Sequence, residues 1–174
     1  MESNFEIMTS RLRLYAPSLT EIHELMSGER SMLGKRIQAI IPTDWPGPNL
    51  SNALPTIAEA MRQEQGDARW VWMIIEPMSA CVIGDIGFHG PLRDGATVEI
   101  GYVLAPDARG HGYATEVTAA LIDWTFTRTN VAQIIASIDP ANTASIRVAA
   151  KVGMRAQPSV EPGFLCYGIT RLRA

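Results

Sequence analysis

The run Arg109-Gly110-His111-Gly112-Tyr113-Ala114 places an arginine and two glycines directly before a helical pattern. Glycine takes backbone angles that other residues avoid. A glycine loop feeding a helix leaves several N–H groups aimed at one spot, where the helix dipole adds positive potential. The arginine adds a full charge, so the stretch suits a phosphate. The plainer alternative is an ordinary strand–loop–helix junction. Glu99 is the only carboxylate within the strand that leads to this loop, and alternation puts Glu99, Gly101 and Val103 on one face. It is either a working base or a solvated, salt-bridged strand residue. Asn142 and Ser145 are three residues apart and share a helical face. Both are also preferred helix caps.

These residues need elements to hold them. Thr97–Leu104 reads as a strand that Pro106 and Asp107 stop. From Tyr113 a helix follows, with Ala114, Val117, Leu121 and Trp124 on one face. Gln133–Ile138 reads as the next strand, with a turn at Asp139-Pro140. A short helix from about Thr143 is capped by Gly153. Closing strands are expected near Met154–Gln157 and Phe164–Arg171. Upstream, Arg11–Tyr15 alternates as a first strand stopped by Pro17, and Ser18 or Thr20 caps a helix bearing Ile22, Leu25 and Met26. Residues 28–54 have no clear period, and Trp45 there is either a plug over the core or a wall of a pocket. A helix is expected over Leu54–Gln65. Trp70–Ile75 and Cys81–Phe88 form a hairpin through Met78-Ser79. Strands first, then strands alternating with helices, indicate an α/β fold with mixed strand directions.

Composition narrows the function. A chain of 174 residues, 47% hydrophobic, suits one domain with a sizeable core. A net charge of −3 offers no footprint for nucleic acid. Cys81 and Cys166 are expected as free thiols in a reducing cytoplasm. The scattered His23, His89 and His111 and the cysteine spacing give no reason to expect a metal. Met1-Glu2-Ser3-Asn4 has no signal-peptide character, and no apolar run approaches the ~20 residues of a membrane span.

Arg109–Ala114 resembles the Arg/Gln-x-x-Gly-x-Gly/Ala signature of the GCN5-related N-acetyltransferases (GNAT). Asn142-Thr143-Ala144-Ser145 with Lys151-Val152-Gly153-Met154, and the opening Thr9-Ser10-Arg11-Leu12-Arg13-Leu14, resemble the RimJ/RimL branch, which acetylates ribosomal-protein N-termini. Ala150 stands where that branch commonly has glutamate. The resemblance implies the GNAT fold, a mixed, mostly antiparallel sheet of about seven strands flanked by helices. It implies acetyl-CoA as cosubstrate and no metal. The cofactor would be held by the backbone of Val103 and Leu104, by Arg109, Gly110, His111, Gly112, Tyr113 and Ala114, and by Asn142 and Ser145. His111 reads as an exposed filler rather than a base.

Acetyl transfer to an amine requires loss of the amine's proton, a donor for the oxyanion and a hydrogen bond or proton for the departing thiolate. The amine is itself the nucleophile. Glu99 is the expected base, through water, with solvent or a carboxylate of the acceptor side such as Asp44, Asp85 or Glu161 as alternatives. Ser145 is the expected partner of the sulfur. A protein N-terminal α-amine, a small polyamine or an aminoglycoside-type antibiotic remain as acceptors. A non-catalytic CoA-binding sensor is the alternative function. A homodimer covering part of the cleft stays open.

Overall fold

In the computed structural model, the described residues are 5–63, 70–90, 92–93, 95–159 and 161–171. Alternating apolar residues build one sheet of eight strands: β1 Phe5–Met8, β2 Arg13–Ala16, β3 Val71–Glu76, β4 Cys81–Phe88, β5 Thr97–Leu104, β6 Gln133–Ile138, β7 Arg155–Gln157 and β8 Leu165–Thr170, ordered β1-β2-β3-β4-β5-β6-β8-β7. Only β5 and β6 are parallel neighbours; every other pair is antiparallel. The helices are α1 Leu19–Ser27, α2 Arg30–Ile37, α3 Pro48–Gln63, α4 Tyr113–Arg128 and α5 Thr143–Lys151.

The interior strand β3 is apolar on both faces. Trp72 and Ile74 join Leu14, Ile86, Ile100, Val117, Leu121 and Ile134 in the core under α4. Met73 and Ile75 join Ile22, Leu25, Leu54, Ile57 and Val82 in a second core under α1 and α3. A strand covered on both sides reads as a continuous apolar run, which is why Val71–Ile75 is legible without alternation.

Several elements differ from the sequence reading. The first expected strand, over Arg11–Tyr15, begins instead at Arg13, because Thr9–Leu12 is a turn: the Thr9 N–H donates to the Leu12 carbonyl at 2.9 Å. The strand before that turn, β1, makes the total eight rather than seven. Helix α3 starts six residues earlier than expected, with Pro48 at its first position, where a missing N–H costs nothing. It then continues through Pro55. Pro55 is exposed, as is Ser51, whose carbonyl the absent N–H would have bonded. The expected end at Gln65 lies outside the described residues. Helix α2 was not foreseen. Helix α1 is capped by Ser18, in a capping box with Glu21. The C-terminus of α5 closes as expected: Gly153 has φ +86°, and the Met154 N–H reaches back to the Ala149 carbonyl at 3.0 Å.

Candidate active site

The glycine loop is built by backbone geometry. After β5 a single turn, Pro106–Ala108, brings the chain round, and Arg109 folds back so that its Nε donates to the Leu104 carbonyl at 3.0 Å. Gly110 and Gly112 both have φ +80°, which a side chain would strain. Gly112 is the N-cap of α4 and makes no side-chain cap, so the first-turn N–H groups stay available. A depression of about 340 Å³ is lined by Arg109, Gly110, Gly112 and Ala114 and, across it, by Arg147 and Lys151 of α5. Arg147 and Lys151 are one helical turn apart, and sequence reading did not single them out as ligands. Three cations around a helix N-terminus give this depression the positive potential that suits a phosphate.

The N-terminal turn fixes this loop. Glu116, in the first turn of α4, accepts from the hydroxyls of Thr9 and Ser10 at 2.6 and 2.9 Å and from Nε of Arg11 at 2.8 Å. Burial pushes the Glu116 carboxyl up, but these hydrogen bonds outweigh it and hold it down at about 2. Arg11 also donates to the His111 carbonyl at 2.9 Å and lies 4.7 Å over the Tyr113 ring. The His111 imidazole is exposed and stacks on Tyr113 at 5.5 Å. The Tyr113 hydroxyl donates to Glu76 at 2.6 Å, tying α4 to the end of β3.

Beyond the loop the sheet forks. β5 and β6 pair only from Thr97 opposite Gln133 to Glu99 opposite Ile135. From there β5 stays on β4 as far as Leu104, while β6 stays on β8 as far as Ile138. The wedge between them opens into a cavity of about 280 Å³, lined among others by Tyr102, Ser137, Asn142, Ser145 and Phe164. The Thr118 hydroxyl also lines it and is buried without a hydrogen-bond partner. An unpaired edge of β5 and an orphaned hydroxyl fit a ligand bearing amide groups, which could bond as an added strand does.

Glu99 sits at the apex of the fork. Its Oε1 accepts from the Ser137 N–H at 3.2 Å, the first β6 amide beyond the paired segment that faces this side. Its Oε2 lies 3.9 Å from Nδ1 of His89, an ion-pair distance when the imidazole is protonated. Val103 lies further along the same face and is half-exposed, and the Leu104 side chain is buried on the other. On the opposite side of the fork, Asn142 caps α5 by accepting from the Ser145 N–H at 3.1 Å. The Ser145 Oγ lies 3.1 Å from the Tyr102 hydroxyl. Burial pushes the Tyr102 phenol up, with the Ser145 hydrogen bond pulling the other way, so it stays protonated. Tyr102 was missed in the sequence. The structure thus places Asn142 and Ser145 in the lining of the fork cavity, with Arg109–Ala114 at its mouth, and sets Glu99 at the apex on the other face of β5.

On the face toward α3, a second cleft of about 290 Å³ lies over β4 and β5, lined by Leu50, Ile57, Trp70, Asp85, Gly87 and His89 among others. Trp45 is 8% exposed, a plug in the second core, and its Nε1 donates to Asp85 Oδ2 at 3.0 Å. Burial pushes the Asp85 carboxyl up to about 6, with the Trp45 hydrogen bond pulling it down by less. Gly101 and Tyr102 line both this cleft and the fork cavity. The two spaces thus meet across β5.

An uncharacterized N-acetyltransferase of Bacillus subtilis, YnaD, is 35% identical over 95 residues, 55% of this chain and 55% of that one. The chain spans about half the length of the first curated relatives it matches. An acetyltransferase from Agrobacterium tumefaciens str. C58 has a TM-score of 0.65 and 24% identity, covering 96% of this chain and 95% of that one. RimL, a ribosomal L7/L12 α-N-protein acetyltransferase solved with coenzyme A, has a TM-score of 0.64 and 17% identity, covering 95% of this chain and 98% of that one. At these identities the two structures share the fold, and nothing finer follows from them. The family model described as acetyltransferase (GNAT) domain matches residues 11–155, from the turn before β2 to the first residue of β7, and the chain belongs to that family.

Proposed function

We propose that the protein is an acetyl-CoA-dependent N-acetyltransferase that moves an acetyl group to a primary amine by direct attack on the thioester. The observation that carries this reading is the fork. A wedge between two parallel strands opens beside a cationic glycine loop, Glu99 reaches across its apex to the Ser137 N–H, and the wedge adjoins a separate cleft across one strand. That is one entrance for a phosphate-bearing donor and another for an acceptor. RimL, which shares the fold, was solved with coenzyme A.

In this reading the Gly110–Ala114 backbone, Arg109, Arg147 and Lys151 hold the pyrophosphate. The β5 edge at Val103 and Leu104 that leaves β6, with Asn142, aligns the pantetheine arm, and His111 stays at the rim. Acetyl-CoA supplies an activated acetyl thioester. Glu99 takes the proton that the amine loses, through a water. As the new C–N bond forms and the C–S bond breaks, the sulfur takes the electron pair, and Ser145 donates a hydrogen bond to it. Tyr102 donates to Ser145 and so orients that hydroxyl. The reading takes the chain as one domain working in the cytoplasm. Among the described residues no helix is long and apolar enough to cross a membrane. Acceptor classes are a protein α-amine, as in the RimJ/RimL branch, or a small-molecule amine.

Calorimetric titration of acetyl-CoA into the wild type and Gly112→Val tests the cofactor half. The wild type is expected to bind one equivalent. The variant, with a β-branched residue at φ +80°, is expected to lose binding while circular dichroism confirms its fold. Unchanged affinity in a folded variant overturns the assignment of this loop.

A further inference from the structure

The face of the sheet toward α3 carries a pattern that donor binding does not use. Gly87 lies directly opposite Gly101. Gly87 has no room for a side chain, since a Cβ there would lie 2.1 Å from the Trp70 carbonyl oxygen, and a Cβ on Gly101 would press on the exposed His89 ring at 3.2 Å from Nε2. The pair is a bare saddle in the floor of the acceptor cleft. At one end Asp85 lies opposite Val103. At the other the His89 N–H pairs with the Glu99 carbonyl at 2.8 Å. The strands are antiparallel, so the saddle has Asp85 at one end and Glu99 at the other, on the same face.

The two carboxylates differ in their partners. Glu99 is engaged at the fork by the Ser137 N–H and stands near His89. Among the described residues Asp85 has one hydrogen bond, from Trp45, and no other donor reaches its carboxyl. Among the described residues no lysine or arginine lines the cleft. A half-buried carboxylate with one oxygen unmatched calls for a cation from outside the chain. Positions four residues apart along strands are ~13 Å apart; a donor nitrogen sits ~2.8 Å from Asp85 and ~3–5 Å from Glu99, directly or across the water, which leaves ~5–7 Å between two nitrogens, the reach of about three to five carbons.

Building on the transferase reading, we propose that Asp85 anchors a second, protonated amine of the acceptor, so that the preferred substrate is a diamine lying across the Gly87–Gly101 saddle with its other amine at Glu99. Trp45 is a positioning residue: its indole aims the carboxylate, and its bulk closes the floor beneath it.

The test compares 1,5-diaminopentane with n-pentylamine. In steady-state assays the wild type is expected to prefer the diamine by about tenfold or more in kcat/KM, mostly through KM, and Asp85→Asn is expected to bring that ratio near unity. Titrating both amines into the protein saturated with CoA reads the anchor without any acetyl transfer. Tighter binding of the diamine that vanishes in Asp85→Asn supports the anchor even if neither amine is acetylated, a result that would count against the transferase reading alone. Equal use or equal binding of the two amines by the wild type overturns the anchor. So does a diamine preference that survives Asp85→Asn.

Discussion

The phenol of Tyr102 and the hydroxyl of Ser145 lie 3.1 Å apart, one on a sheet strand and the other in the first turn of a helix across the fork. Burial keeps the phenol protonated, so it can donate to Oγ and leave the serine proton free for a third atom. The departing sulfur is that atom in the proposed reaction. Ser145→Ala should lower kcat with little change in acetyl-CoA affinity, because the bond strengthens only as the thiolate develops. Tyr102→Phe should lower kcat by less. The double variant should be little worse than Ser145→Ala, since the two hydroxyls act as one unit. Additive losses would show that they act separately.

The effect of removing Glu99 should depend on the acceptor. An amine of pKa about 10.4 is only about 0.04% neutral at pH 7, whereas an α-amine near 8 is roughly 10% neutral. A positioned base contributes about 10²–10⁴-fold. Glu99→Gln should therefore cost about tenfold with an α-amine, recovered at higher pH, and far more with a lysine-like amine. The pH dependence of kcat/KM checks this. If the variant keeps both the rate and the acidic limb of the profile, Glu99 is not the base.

Arg11 is expected to matter for donor binding without touching the donor. It ties the His111 carbonyl and Glu116 together behind the glycine loop. Arg11→Ala should weaken acetyl-CoA binding by about tenfold, the worth of a charge-assisted hydrogen bond or two, and calorimetry reads it directly. Glu116 links the same clamp to pH. Its carboxyl is held below its unfolded value, so the stabilisation is present above about 4.5 and is lost as pH falls toward about 2. Acid unfolding of Glu116→Gln should be shallower over that window.

Asp85 has the opposite sign. Its carboxyl is pushed from 3.8 up to about 6, so its contribution is fully present below about 4 and is lost as pH rises through 6. Ionising it in the fold costs on the order of 2–3 kcal/mol. Asp85→Asn should thus be more stable than the wild type at pH 8, with the gap closing below pH 4. Thermal melts across pH measure it. A wild type that outlasts the variant at pH 8 would show that the buried charge is already paired.

The elements around the proposed donor site were legible because their signals are local. β5, β6 and the start of α5 follow from alternation and from turn residues within a few positions, and glycines mark the loop. β1 was missed because four residues offer too little pattern. α2 was missed because its apolar stripe is thin and is interrupted by Gly34, where a Cβ would lie 2.6 Å from the Ala39 carbonyl oxygen. The side-chain partnerships were out of reach for another reason. Tyr102 with Ser145, Trp45 with Asp85 and Arg11 with Glu116 join residues 43, 40 and 105 positions apart. No periodicity in a single sequence encodes which distant side chains meet across a sheet.

The central claim is that the fork brings an acetyl thioester to an amine. The most direct measurement follows free CoA and acetylated product together, incubating the wild-type protein and acetyl-CoA with a panel of amines, alcohols and thiols. The account predicts CoA released in step with an N-acetylated product, abolished when the amine is left out. CoA released without any acetylated amine, or acetyl found only on hydroxyl or thiol compounds, would contradict it.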